Sequence, residues 1–402
     1  MKKRSPPLAI VIGGIASLII AMGIGRFSYT PILPILQAET GLTDSMAGYL
    51  ASSNYLGYLL GALLANVCIL RKDKLFSLRL YLIINIFTTL LMGSVQAISI
   101  WFILRFISGL TSGFVFVLAS GIVLDALARY KRPTWSGLFY SGVGFGILLT
   151  GLIVPIADSF FGWNGAWVAL GFIALAISII VFLLLKEPIE NKHVNRAVHK
   201  QDETITKQPA LPWLIGAYGC EGIGYIVSAT FLVALVQDIP DLSSFPSLSW
   251  IFVGAAAIPS CIIWALIARR WGNMVTLHFA FFTQMIGVIL PVIFFNTYGA
   301  LIGAFLFGAT FMGITTLVVS EARALTVHRS GNIIGFATFI YGIGQMLGPT
   351  IAGWLIAASG SYHSSLIFAS FTLLLAMVFL AVGQLRTRKF NKLILENEML
   401  EG

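Results

Sequence analysis

Three charged side chains stand inside long apolar stretches of this 402-residue chain: Arg26, Arg105 and Glu221. A carboxyl surrounded by hydrocarbon can take up and release a proton as its surroundings change, and a guanidinium in the same setting can hold a carboxylate or an anionic ligand. Burying either charge at the centre of a bilayer costs roughly 3 kcal/mol, so each is expected to face a partner or a watery cavity. With a rise of about 1.5 Å per residue, Glu221 lies about 15 Å into its apolar segment, Arg26 lies near mid-depth and Arg105 about 9 Å below the outer surface.

The elements that must position these groups are membrane helices. Hydrophobic residues make up 58% of the chain and charged residues only 10%, where soluble proteins carry about 25% charge; an ordinary soluble enzyme is excluded. Twelve apolar segments run from about 8 to 36, 46 to 70, 76 to 97, 99 to 128, 133 to 157, 164 to 185, 211 to 236, 247 to 268, 273 to 295, 298 to 322, 331 to 357 and 363 to 385. Each is long enough to cross a bilayer. The run after Lys2, Lys3 and Arg4 shows no early small-residue cleavage pattern, so it reads as an uncleaved first span rather than a signal peptide. One long polar interruption, Lys186 to Pro209, reads as a flexible linker. The expected organisation is therefore an all-α membrane protein of twelve transmembrane helices in two pseudo-symmetric six-helix bundles: residues 1–186, a cytoplasmic linker 187–209, and residues 210–402 with a short cytoplasmic tail.

Charge sets the expected orientation. Of the 25 Lys and Arg residues, 23 fall in the termini, the linker and the loops of one side; the other two are Arg26 and Arg105. The opposite loops carry the acids Glu39, Asp44, Asp158, Asp238 and Asp241. By the positive-inside rule the basic side is cytoplasmic, with both termini. The cations do not cluster on a soluble face, so nucleic acid is not an expected partner. Cys68, Cys220 and Cys261 lie far apart in apolar runs and read as packing residues, neither disulfide nor metal set.

An internal repeat divides the chain in half. A shift of 199 places Gly23-Ile24-Gly25 on Gly222-Ile223-Gly224, Gly109 on Gly308 and Thr111 on Thr310. Under it Glu221 corresponds to Met22 and Arg26 to Tyr225. Residues four apart share a helix face, so Arg26 and Glu221 are expected on equivalent faces of facing helices, Glu221 as the protonatable coupling group and Arg26 as its partner or as an anchor for an anionic substrate.

Local motifs point to a family. Arg105-Phe-Ile-Ser-Gly109-Leu-Thr-Ser-Gly113 in the fourth segment resembles an Arg-and-Gly motif of the major facilitator superfamily, and Gly344-Gln-Met-Leu-Gly348-Pro349-Thr-Ile-Ala-Gly353 resembles its Gly-Pro motif, here in the eleventh segment rather than the fifth. Gly61 to Lys74 stands where the superfamily has a Gly-x-x-x-Asp-Arg-x-Gly-Arg loop; the second-half counterpart, Ala265 to Gly272, has Arg269 at the acid's position. Met22-Gly-Ile-Gly-Arg26-Phe-Ser-Tyr-Thr-Pro-Ile-Leu-Pro34, followed by Ala51-Ser-Ser-Asn54-Tyr55-Leu-Gly-Tyr58-Leu-Leu-Gly61, resembles the YbfB/YjiJ-like branch.

The resemblance implies that segments one, four, seven and ten line a central cavity, which puts Arg26, Arg105 and Glu221 along a substrate path. Tyr29, Asn54, Tyr55, Tyr140, Tyr218, Tyr225, Tyr341 and Gln345 are candidate substrate ligands beside Arg26 and Arg105, since hydroxyls and amides orient a molecule in a mostly apolar pocket. Arg105 has two structural alternatives, satisfying carbonyls of broken helices nearby or snorkelling outward. Asp125, Arg269, Arg270, Glu321 and Arg323 are candidates for a cytoplasmic gate. His278 and Gln284 are left aside because the resemblance puts the ninth segment at the periphery.

No Gly-x-x-x-x-Gly-Lys-Ser/Thr loop, HExxH pattern or Cys/His cluster is present, so no nucleotide motor, metal, cofactor or enzyme activity is expected. The expected function is secondary active transport of a small organic solute across the cytoplasmic membrane, coupled to protons, with a tilt toward anionic or zwitterionic metabolites and a monomeric state. Proton-driven export of amphipathic compounds and a non-transporting membrane receptor are the alternatives.

Overall fold

The computed structural model describes residues 6–68, 73–186, 208–325 and 330–401, and among them all regular structure is helical. The linker from 187 to 207, together with Lys2, Lys3, Arg4, Arg71, Lys72 and Arg329, lies outside the described residues.

The first crossing is built from three pieces: α1 (Pro7–Leu18), a π-helix (Ile19–Phe27) and α2 (Tyr29–Thr40). Then follow α3 (Asp44–Cys68), α4 (Lys74–Met92), α5 (Ile98–Arg129) and α6 (Ser136–Leu184). The second half holds α7 (Leu211–Gln237), α8 (Ser247–Trp271), α9 (Asn273–Ile293), α10 (Thr297–Leu325), α11 (Ser330–Ser359) and α12 (His363–Glu401).

Among the described residues, ten helical stretches are long and apolar enough to cross a membrane by length and composition, and one of them, Pro133–Leu184, is 52 residues long. It makes two crossings. Gly162, with φ 65° and ψ −169°, breaks α6 where the fifth and sixth segments meet, at a φ that favours glycine because no Cβ opposes it. The 25-residue α3 completes the set of twelve.

Packing separates the two bundles. α3 and α4 lie against α5, and α1 lies against α6; in the second half α8 and α9 lie against α10, and α11 and α12 against α7. The halves meet along three seams, α6 with α8, α3 with α11, and α2 with α7. One face of the molecule carries the ends of α5, α8 and α10 with Arg129, Arg269, Arg270 and Arg323; we call it the basic face. The opposite face carries Glu39, Asp44, Asp158, Asp238 and Asp241 and is the acidic face.

Candidate functional site

A cavity of about 870 Å³ lies between the halves. Its deep end is formed by Met22, Arg26, Tyr225, Phe311, Tyr341 and Gln345, and its walls run out to Ala128, Pro133, Arg269, Asn273 and Arg323 on the basic face, where it opens. Toward the acidic face the halves are joined. Thr30 Oγ1 donates to the Ala229 carbonyl, Thr350 Oγ1 donates to Ser52 Oγ at 2.8 Å, and Tyr55 Oη lies 3.5 Å from Thr230 Oγ1. At the surface itself the Tyr362 hydroxyl lies 3.2 Å from Gln37 Oε1 and 3.1 Å from Asp44 Oδ1. Burial and the neighbouring Asp44 push the Tyr362 pKa up, so this hydroxyl keeps its proton and donates.

Arg26 sits at the closed end of the cavity with 2% of its surface exposed. Its Nη2 donates to Tyr225 Oη at 3.0 Å, and Tyr225 Oη in turn lies 2.5 Å from Gln345 Nε2. The guanidinium carbon is 4.1 Å from the centre of the Tyr58 ring and 4.8 Å from that of Tyr55. These partners are all neutral. No carboxylate forms an ion pair with Arg26 among the described residues, and its Nε has no hydrogen-bond partner.

The π-helix explains how Arg26 reaches this place. Pro31 has no amide hydrogen to close the preceding turn, and Gly23 lies so near Gly146 that a Cβ would strike the Gly146 Cα. The irregular backbone is held by side chains around it. Ser112 Oγ donates to the Ala21 carbonyl at 2.7 Å and Ser108 Oγ to the Gly25 carbonyl at 2.8 Å. Arg105 donates through Nη1 to the Gly25 carbonyl and through Nη2 to the Arg26 carbonyl, each at 3.3 Å, with its guanidinium 4.8 Å from the centre of the Tyr29 ring. Behind them Asn85 Nδ2 donates to the Ser108 carbonyl at 2.9 Å and Thr111 Oγ1 at 3.0 Å. Such a support is needed wherever backbone polar groups leave regular pairing inside a membrane.

Glu221 does not face Arg26. It is fully buried, and its Oε1 accepts from Gln284 Nε2 of α9 at 2.9 Å, while Glu221 Oε2 and Gln284 Oε1 have no partner. The expected juxtaposition fails because the acid takes a neutral hydrogen-bond partner on α9: Met22 and Arg26 both line the cavity, whereas of their equivalents on α7 only Tyr225 does. On α7 it is Tyr218 and Tyr225 that line the cavity, and Glu221 is directed to α9. Setting the ninth segment aside is corrected with it, since Gln284 is completely buried against the deep acid; His278 makes only a local contact, Nδ1 to the Met274 carbonyl at 2.8 Å.

Among the other candidates, Tyr140, Tyr218, Tyr225, Tyr341 and Gln345 line the cavity, with Arg269 and Arg323 at its mouth. Tyr29, Asn54, Tyr55 and Arg105 lie behind its wall. Tyr29 Oη donates to the Ala47 carbonyl at 3.0 Å and Asn54 Nδ2 to the Arg105 carbonyl at 2.9 Å. Asp125 pairs with Lys74 at 3.7 Å on the basic face, Arg270 is exposed outside the cavity, and Glu321 is part-buried near the end of α10. Sequence reasoning missed Tyr58 and Phe311 in the wall and Asn85, Ser108 and Ser112 in the support. A signal for Asn85 was present: the same shift of 199 that aligns the glycines places it on Gln284.

Known proteins share this architecture. The structure of the nucleoside transporter NupG superposes with a TM-score of 0.70 at 14% identity, covering 94% of this chain and 98% of that one. A bacterial homologue of the human lysosomal transporter Spinster, in an inward-facing and occupied conformation, superposes with a TM-score of 0.70 at 16% identity, covering 96% and 97%. In sequence, the chain is 21% identical to an uncharacterised transporter, YybO of Bacillus subtilis, over 91% of both chains. It is 22% identical to a probable sulfoacetate transporter, SauU of Cupriavidus necator, and 23% identical to a putative niacin/nicotinamide transporter, NiaP of Bacillus subtilis, each over 90% of both chains. The family model described as "uncharacterised MFS-type transporter YbfB" matches residues 18–381. With nearly the whole chain matched and the two-bundle fold in place, this protein belongs to that family of integral membrane transporters.

Proposed function

We propose that the protein is a secondary active transporter that carries a small organic anion or zwitterion across the cytoplasmic membrane, the basic face and both termini being cytoplasmic, by rocking of the halves 1–186 and 210–402 about the cavity. It acts as a monomer. The observation that carries this reading is the charge of the cavity wall: among the described residues it contains Arg26, Arg269 and Arg323 and no Asp or Glu. A cleft lined by one sign of charge concentrates ligands of the other sign. The names of the sulfoacetate and niacin/nicotinamide relatives agree with small organic solutes of this kind. Aromatic walls also suit an exporter of amphipathic cations, but three guanidiniums in the wall oppose a cationic load.

Protons are the proposed driving ion and Glu221 their carrier. The group works through α7 rather than through an ion pair. Glu221 sits one turn from Tyr225, whose hydroxyl holds Arg26, so a change in how Glu221 meets Gln284 alters the helix that contacts the substrate anchor. Proteoliposome flux with and without an imposed pH gradient tests the reading. Uptake of an organic anion is expected to follow the gradient in the native protein and to lose that dependence in Glu221→Gln; undiminished gradient-driven accumulation in the variant removes Glu221 from coupling.

A further inference from the structure

The deep end of the cavity has one charge to offer, and its neighbours are flat. We infer that the ligand is a monoanion whose single carboxylate or equivalent acid group is carried on an aromatic or similarly planar unsaturated ring, bound with its acid on Arg26 and its ring among Tyr58, Tyr225, Phe311 and Tyr341. This rests on the transporter reading and narrows it.

The number of charges comes from the two guanidiniums. Arg26 is buried at the cavity end with only neutral partners and a free Nε, so the counter-charge is supplied by whatever binds. Arg105 is the other deep cation, and its terminal nitrogens are given to the Gly25 and Arg26 carbonyls, behind the wall. A second acid group on the ligand would therefore be buried without a cation, a costly arrangement. Arg269 and Arg323 are exposed at the mouth, where they attract an anion without holding it at depth.

The ring comes from the walls. Tyr218 and Tyr341 stack with centroids 4.2 Å apart and planes 11° apart; Tyr341 and Tyr225, 5.6 Å apart, and Tyr225 and Phe311, 5.8 Å apart, each lie within 3° of parallel. On the other side the Arg26 guanidinium lies over the Tyr58 ring. A carboxylate that pairs side-on with a guanidinium lies in its plane, and a carboxylate conjugated to a ring is coplanar with that ring, so such a ligand is one flat body from acid to ring, the shape that aromatic side chains stack against.

Equilibrium binding to the purified protein in nanodiscs at pH 8 tests this, with benzoate as the probe and a ladder of analogues. Benzoate is expected to bind about tenfold or more tightly than benzamide, which lacks the charge, and than benzene-1,3-dicarboxylate, which has one too many. It is expected to exceed cyclohexanecarboxylate by about fivefold, the worth of ring stacking. In Arg26→Gln the preference for benzoate over benzamide is expected to vanish, while Tyr225→Phe, which keeps the guanidinium, retains it. Equal binding of the saturated ring, tighter binding of the dicarboxylate or of benzylammonium, or a benzoate preference that survives Arg26→Gln overturns the inference; the native ladder decides even if a variant does not fold. Parallel flux measurements keep the two readings apart. Selective benzoate binding without flux breaks the transport reading alone, and gradient-driven flux of another solute without selective benzoate binding breaks the substrate inference alone.

Discussion

The first and seventh crossings occupy equivalent places in the two halves, and they are built differently. Both carry the Gly-Ile-Gly sequence at the repeat offset of 199, and in both the first of these glycines meets backbone: Gly23 meets Gly146 and Gly222 meets the Tyr341 carbonyl. The first crossing nevertheless breaks into α1, a π-helix and α2, whereas α7 runs unbroken for 27 residues. Glycine therefore sets close packing here and not the break. What differs is the proline pair, since Pro31 and Pro34 correspond to Thr230 and Val233, and the support, since Arg105, Ser108 and Ser112 correspond to Ala304, Phe307 and Phe311. One half spends polar side chains on holding loose carbonyls; the other fills the same places with methyl groups and rings that line or back the cavity. The two meet on the repeat axis: Arg26 touches Tyr225 and Thr30 touches Ala229, each pair 199 residues apart.

The sharpest way to break that comparison is to treat the two buried guanidiniums alike. Arg105→Leu removes hydrogen bonds to two backbone carbonyls; that of Gly25 keeps Ser108 Oγ, while that of Arg26 loses its side-chain donor, and a carbonyl left buried and unpaired costs about 1–3 kcal/mol. This is expected to be the most destabilising single change, read as a large fall in the thermal unfolding temperature in nanodiscs. Arg26→Gln removes a charge that has no acid partner, so stability is expected to hold or rise. If Arg26→Gln melts as early as Arg105→Leu, the division between a structural and a ligand-facing arginine is wrong.

The second half offers the matching experiment at Glu221 and Gln284. Gln284→Leu strips the acid of its only hydrogen bond among the described residues and is expected to cost about 1–3 kcal/mol. Glu221→Gln leaves an amide facing an amide and is expected to stay within about 1 kcal/mol of the native protein. In a double-mutant cycle the pair should show a coupling of about 0.5–2 kcal/mol, the range for contacting polar groups. A coupling of zero would mean that the carboxyl is held by something other than α9.

How much of this could be read in advance follows from what hydropathy records. The twelve crossings and the two halves are properties of composition and offset, and both are present in the uncharged runs and the glycine register. The resemblance put the crossings of Arg26 and Tyr225 around a cavity, where both now lie, whereas Gln345 on the eleventh segment was a candidate only for its amide. The partner of Glu221 did not follow, because the repeat offset pairs positions along the chain without saying which neighbouring helix a side chain meets, and setting the ninth segment aside removed Gln284 from view. Pro31 and Pro34 hinted at irregular backbone without fixing where its carbonyls would go. The support of Asn85, Ser108 and Ser112 was hidden for a different reason: small hydroxyls in an apolar run look like packing residues until a broken helix is placed beside them.

The smallest expected effect lies at the acidic face, where both halves contribute to one hydrogen-bond cluster. Gln37 Nε2 donates to Asp44 Oδ1 at 2.8 Å within the first half, and Tyr362 reaches across from the turn before α12. Tyr362→Phe deletes the crossing hydroxyl while leaving the ring, which lies 6.2 Å from Phe231. A single such hydrogen bond is worth about 0.6–1.5 kcal/mol, so a state opened toward the acidic face should gain about three- to tenfold in population relative to the closed one. Labelling of Ser228→Cys, a buried position on α7 one turn beyond Tyr225, by an impermeant maleimide added on that side reads the change in a background without the native cysteines. Faster labelling by that factor assigns the outer seal to Tyr362. An unchanged rate would assign it instead to the deeper contacts, Thr30 with Ala229, which are equivalent positions of the two halves, and Ser52 with Thr350.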